Sequence, residues 1–81
     1  MKTFHLTIAR VDESLFDGEV ISATLPGKEG EFEVLAGHEA FVSELRSGRA
    51  RIKDADGALH HFAISEHGIA EVSNAQATVL L

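Results

Sequence analysis

Apolar and polar residues alternate one for one through most of this chain, and glycines cut the alternation into short runs. Phe4, Leu6 and Ile8 are interleaved with His5 and Thr7, and Ile21, Ala23 and Leu25 with Ser22 and Thr24. Phe32 and Val34 alternate with Glu31 and Glu33, and Ala50 and Ile52 with Arg49, Arg51 and Lys53. Phe62 and Ile64 share one parity, and a last run spans Gln76 to Leu81. A period of two belongs to the β-strand and sets one face on a core and the other in water. The seven glycines stand at 18, 27, 30, 37, 48, 57 and 68, mostly 7 to 11 residues apart. That is the turn spacing of many short strands in a sandwich or barrel.

The turn residues point the same way. Pro26-Gly27 predicts a type II turn, where proline fixes φ and glycine takes the positive one. Asp56-Gly57, between runs at 49–53 and 59–64, predicts a hairpin. The stretch at 39–46, EAFVSELR, fits one helical turn or a short strand equally. No long amphipathic helix, internal repeat, low-complexity tract or linker stands out. The expected fold is all-β. It is an antiparallel β-sandwich or flattened barrel of about eight to ten short strands, one domain over 1–81, closed enough to limit exposed edges.

Composition narrows the function. With 81 residues, such a domain buries roughly 60% of its unfolded surface, so its core is small. There is no cysteine, hence no disulfide and no thiolate metal site, which fits a reducing compartment. Thirteen acids against seven bases give a formal charge of −6. Phosphate backbones need a cationic face, so nucleic acid is excluded as a partner, and direct binding to anionic lipid is disfavoured. No apolar run reaches the ~20 residues that span a bilayer, and the start lacks the apolar stretch of a signal peptide. The expectation is a cytoplasmic domain that meets membranes only through other proteins. An apolar content of 44% sets it apart from disordered chains. The lack of Trp and Tyr weighs against an aromatic cage.

Residues that carry chemistry are sparse in pattern. His60 and His61 are adjacent on a predicted strand, so they face opposite ways and cannot share a metal. His5 has solvent parity. His38 and His67 complete a set with no chelating spacing. Ser65-Glu66-His67 joins a serine, an acid and a histidine in sequence, but triads assemble in space. Gly27-x-x-Gly30 leads into acids, the reverse of a phosphate cradle. Arg49, Arg51 and Lys53 form a basic stripe on one strand face, read as a solvated face near cross-strand acids or as contact with an acidic partner. Glu31 and Glu33 share the outward face of their strand, with Glu29 in the turn before them. That face is either a charged edge that resists pairing or a docking loop for a cationic partner.

Over about 75 residues the sequence resembles the N-terminal β-sandwich domain of the epsilon subunit of F-type ATP synthase, the equivalent of the mitochondrial delta subunit. The resemblance rests on FHLTIARVDESLFDGEV, which looks like the family's opening strand and a Phe-x-Gly-x-Val turn at Phe16, Gly18 and Val20. It rests further on Pro26-Gly27-x-x-Gly30-Glu31-Phe32, Gly37-His38 and Leu45-x-x-Gly48-x-x-Arg51-Ile52. Phe62, Gly68-Ile69, Glu71-Val72 and Ala77-Thr78-Val79-Leu80 complete it. The prolines that often flank the family's Gly-His pair are missing in Ala36-Gly37-His38-Glu39-Ala40, and Glu33 replaces a frequent glycine. The family's C-terminal helical hairpin, where its nucleotide binding and inhibition reside, is absent from these residues.

The resemblance implies a non-catalytic rotor subunit of the central stalk, without cofactor or metal. It would join the gamma subunit to the c-ring and help couple ion flow to ATP synthesis. Its place would be at the cytoplasmic face of a bacterial inner membrane, peripheral through the complex. Glu29, Gly30 and Glu31 would meet a c-ring loop that typically carries an arginine. His38, Phe41 and Val42 would face gamma. Two other readings stand beside this one. One is a small adaptor that pairs a partner strand along an exposed, uncharged edge. The other is a barrel that binds a ligand or metal through its histidines.

Overall fold

Alternation of this kind forms strands only where turns let the runs fold back on each other. The computed structural model describes residues 2–81 and shows eight strands and no helix among them. They are β1 (Phe4–Arg10), β2 (Glu13–Gly27), β3 (Gly30–Leu35), β4 (Phe41–Glu44), β5 (Gly48–Asp54), β6 (Leu59–Ile64), β7 (Ile69–Val72) and β8 (Gln76–Leu80). The ambiguous stretch at 39–46 therefore contains a strand, β4.

The strand order is β4-β7-β8-β1-β2-β5-β6, with β3 also paired to β2. The longest strand, β2, organises the two layers. Its first part pairs with β1 through Phe4↔Val20, and its last part pairs with β3 from Ser22↔Leu35 to Gly27↔Gly30. β5 lies along Val20 to Thr24, sharing Val20 with β1 and Ser22 with β3. A strand has two edges, so β1 and β3 succeed each other along the one that β5 does not use. β2 thus leaves one layer, β4-β7-β8-β1, and enters the other, β3-β5-β6, which is how a single sheet folds over itself.

The structure departs from the sequence reading in four places. Not all pairing is antiparallel, since β1 and β8 run parallel from His5↔Gln76 to Ala9↔Leu80. The chain enters and leaves the same layer in one direction, which alternation within a strand cannot reveal. The sheet is also open, ending at β4 and β6. One corner is nevertheless joined by a Gly27↔Leu45 bridge and by Arg46 N–H donating to Pro26 C=O at 2.9 Å.

Phe16, Gly18 and Val20 do not form a turn. They lie within β2, opposite Ile8, Leu6 and Phe4. The Pro26-Gly27 turn is displaced as well. Both residues end β2, and the hairpin tip is Lys28-Glu29, with Gly30 at φ 141°. Gly27 is needed for close approach rather than for its φ. A Cβ there would stand 2.6 Å from the Gly30 carbonyl oxygen and 2.8 Å from the Phe32 ring.

The core is aliphatic. Leu6, Ile8, Val20, Leu25, Val34, Ile52 and Val79 are its largest fully buried side chains, and no polar or charged residue among those described is buried. In β2 the buried positions run Val20, Ala23, Leu25, Pro26 and Gly27, with Ile21 half-buried. The β2–β5 register shifts between Val20 and Ser22. Such a bulge adds one residue and turns the strand, so Val20 and Ala23 both face inward. The Asp56-Gly57 hairpin forms as expected. Gly57 takes φ 87°, and Asp54 Oδ1 accepts from the N–H groups of Asp56 and Ala58, each at 2.9 Å.

Candidate functional site

The hairpin β2–β3 and strand β4 meet at one corner, because the connection at 36–40 is short and turns on a left-handed glycine. Gly37 has φ 82°, and the His38 N–H donates to the Leu35 carbonyl at 3.2 Å, turning the chain back. Phe41 at the start of β4 then meets Phe32 of β3 edge to face, with centroids 5.2 Å apart. Both rings are half-buried against the core. The His38 ring is tilted against Phe41 with centroids 5.0 Å apart, and its Nδ1 lies 2.9 Å from the Glu39 carbonyl oxygen. The far end of β4 is tied to the hairpin tip. Lys28 N–H donates to the Glu44 carbonyl at 2.9 Å, and Lys28 Nζ lies 3.1 Å from Glu44 Oε2.

Between these elements runs a shallow groove of about 430 Å³, lined by Glu29, Gly30, Glu31, Phe32, His38, Phe41, Val42 and Ser43. All six residues singled out from the sequence are in it. The sequence reading divided them between two partners; the fold puts them on one face. It also adds Phe32 and Ser43. Phe32 escaped notice because its strand parity points inward, and only the turn at Gly37 places its ring against the groove wall. Val42 is 66% exposed, an apolar side chain presented to solvent at the groove's rim.

The rim is negative. Arg51 Nη2 donates to Glu31 Oε1 at 2.9 Å, and Lys28 is engaged with Glu44. Glu29 and Glu33 have no cationic partner among the described residues. The basic stripe is thus partly absorbed by a cross-strand acid, as its solvated-face reading expected. Arg49 and Lys53 remain without one.

The histidines are dispersed. His5, on the outer face of β1, sits between Asp17 and Glu19 of β2, and hydrogen bonds to Asp17 and then Glu19 hold its pKa above the ordinary 6.5. His60 lies 2.7 Å from Asp54, and that bond is the main cause holding the Asp54 carboxyl below its ordinary value. His61 projects from the opposite face of β6. His67 is exposed in the β6–β7 turn with φ 73°. Among the described residues no group of three His, Cys, Asp or Glu side chains could hold a metal ion. Among the described residues no helix is long and apolar enough to cross a membrane.

A two-layered all-strand fold with an apolar-floored, acid-rimmed groove on its surface places the chain in the β-sandwich class. Residues 3–81 match the family described as "ATP synthase, Delta/Epsilon chain, beta-sandwich domain", and the chain belongs to it. It is 39% identical over 80 residues to the ATP synthase epsilon chain of Bradyrhizobium sp. (strain ORS 278), a match covering 99% of this chain and 58% of that relative. The ATP synthase epsilon chain of Bordetella petrii is 36% identical, with 99% and 56% covered.

Among solved structures, a chain of the mitochondrial ATP synthase of Euglena gracilis, determined as OSCP/F1/c-ring, superposes with a TM-score of 0.88 at 31% identity. That match covers 96% of this chain and 49% of the other. A chain of the Tetrahymena thermophila mitochondrial ATP synthase central stalk and c-ring gives 0.75 at 14% identity, covering 98% and 63%, a likeness of fold alone. The chain spans a little over half the length of the curated relatives it matches.

Proposed function

We propose that this domain is a non-catalytic rotor component of the central stalk of an F-type ATP synthase, seating the gamma subunit on the c-ring. The observation that carries the reading is that one groove gathers Glu29, Gly30, Glu31, His38, Phe41 and Val42. Family membership supplies the context. The acids of the hairpin tip suit an arginine-bearing c-ring loop, because carboxylate and guanidinium pair in a fixed orientation. Each such rim pair contributes about 1 kcal/mol or less. A ring that repeats one loop offers several contacts at once, which raises the combined strength. The apolar side of the groove, Phe41 and Val42 with the His38 ring, suits the gamma subunit, since interface cores are apolar and aromatic. The domain would then sit at the cytoplasmic face of the membrane, held there by the complex.

Co-expression with gamma and c subunits, followed by co-purification, tests the reading. Glu31→Lys is expected to lower recovery of the c-ring, and Val42→Asp that of gamma. Wild-type chain that recovers neither subunit would refute the role.

A further inference from the structure

Three strands are paired along one edge only: β3 with β2, β4 with β7 and β6 with β5. Edge strands ordinarily resist pairing with other chains through charged side chains or proline. β3 carries Glu31 and Glu33, and β4 carries Glu44. β6 reads LHHFAI, with no formally charged residue and no proline. Its first residue, Leu59, is 68% exposed.

The phase of the β5–β6 ladder determines what this edge offers. Asp54 N–H donates to the Ala58 carbonyl at 2.9 Å, which makes the closing pair a hydrogen-bonded one. Bonded and non-bonded pairs alternate along an antiparallel ladder. The bonded pairs are therefore Ile52↔His60, Ala50↔Phe62 and Gly48↔Ile64. Leu59, His61 and Ala63 turn their N–H and C=O groups outward, toward the open edge. Their side chains share the outer face with Lys53, Arg51 and Arg49, directly opposite on β5. Arg51 is occupied by Glu31, whereas Arg49 and Lys53 have no acidic partner among the described residues. The strand itself is held firmly. Phe16 meets His60 and Phe62 edge to face at 5.3 and 5.9 Å.

We propose that β6 is a docking edge that accepts an extended segment of a partner protein as an added strand, and that the segment carries acidic residues at alternate positions. Main-chain bonds to Leu59, His61 and Ala63 supply the pairing. Outward acids on the added strand stand opposite His61 and the small Ala63 on the same sheet face, within reach of the long Arg49 and Lys53 side chains, which selects for negative charge. A second copy of this chain is the poorer occupant. Two β6 edges side by side would bring two basic stripes together. The inference does not rest on the rotor reading.

The test uses a labelled six-residue peptide alternating glutamate with valine, followed by fluorescence anisotropy and by amide hydrogen exchange. Binding with slowed exchange at Leu59, His61 and Ala63 is expected, and at least tenfold weaker binding of the same peptide with lysine for glutamate. Ala63→Pro removes an outward N–H that the β5–β6 ladder does not use, and should abolish binding. If that variant does not fold, Ala63→Glu places a like charge on the edge and should weaken binding at least tenfold. Equal binding of the lysine peptide, unchanged binding by the variants, protection elsewhere, or self-association through β6 would each overturn the proposal.

Discussion

Arg51 reaches diagonally across β2 to Glu31, 2.9 Å from Nη2 to Oε1, although Glu33 is the acid that shares its row through Thr24. The pair is half exposed on both sides, so it adds little to stability. It does hold the Glu31 carboxylate against the sheet beside the groove and leaves Glu33 free.

Removing that pair should therefore separate folding from docking. Glu31→Gln is expected to change unfolding free energy by less than about 1 kcal/mol, read from urea denaturation, while recovery of the c-ring in co-purification falls. A loss of several kcal/mol would show that Glu31 is a structural residue.

The core should be far less tolerant. Leu25 and Ile52 are fully buried, and cutting either to alanine removes contacts that the rigid sheets cannot replace. A loss of about 2–5 kcal/mol is expected for each. That is much of the 5–15 kcal/mol available to a whole domain, so Leu25→Ala should be partly unfolded at 37 °C by circular dichroism.

Two glycines should fail for different reasons. Gly57→Ala meets no neighbour but must keep φ 87°, a left-handed backbone costing about 1–2 kcal/mol. Gly27→Ala has no such φ but drives its methyl to within 2.6 Å of the Gly30 carbonyl oxygen. Backbone must shift there, and the variant should lose more stability than Gly57→Ala and distort the groove. Thermal melts of the two variants compare them directly.

His5 gives the domain a pH dependence of known sign. Its folded pKa lies above 6.5 because Asp17 and Glu19 favour the charged ring. The group therefore stabilises fully below pH 6.5 and loses that contribution as pH rises through the folded value. Asp54 has the opposite sense. Its folded pKa lies below 3.8, so its contribution is present above that value and is lost as pH falls through the folded one. His5→Gln should lower the melting temperature at pH 5.5 and leave it nearly unchanged at pH 8.5, whereas Asp54→Asn should act at neutral pH and lose its effect in acid.

Most of the strands were legible because each has one wet face. Phe4-Leu6-Ile8 and Ala50-Ile52 alternate cleanly and bury as their parity requires. What escaped was long-range. The parallel β1–β8 pairing leaves no local trace, since a strand's pattern is the same whichever direction its neighbour runs. Pro26-Gly27 misled because its turn-like dipeptide is used for tight packing on Phe32, and the true tip carries Lys28-Glu29 instead. At the groove, the acids and the Gly37-His38 turn could be read from residue type and spacing. That they face one another could not, because it depends on the Phe32–Phe41 contact between strands.

The seating of β8 beside β1 has a consequence for synthesis. As the polypeptide leaves the ribosome, β1 stays without one of its two neighbours until residues 76–80 have cleared the exit tunnel. The edge of β1 that β8 fills is meanwhile unpaired. Closure of this non-local pair therefore comes late, and a delay in translation near that point prolongs the exposure of an unpaired edge.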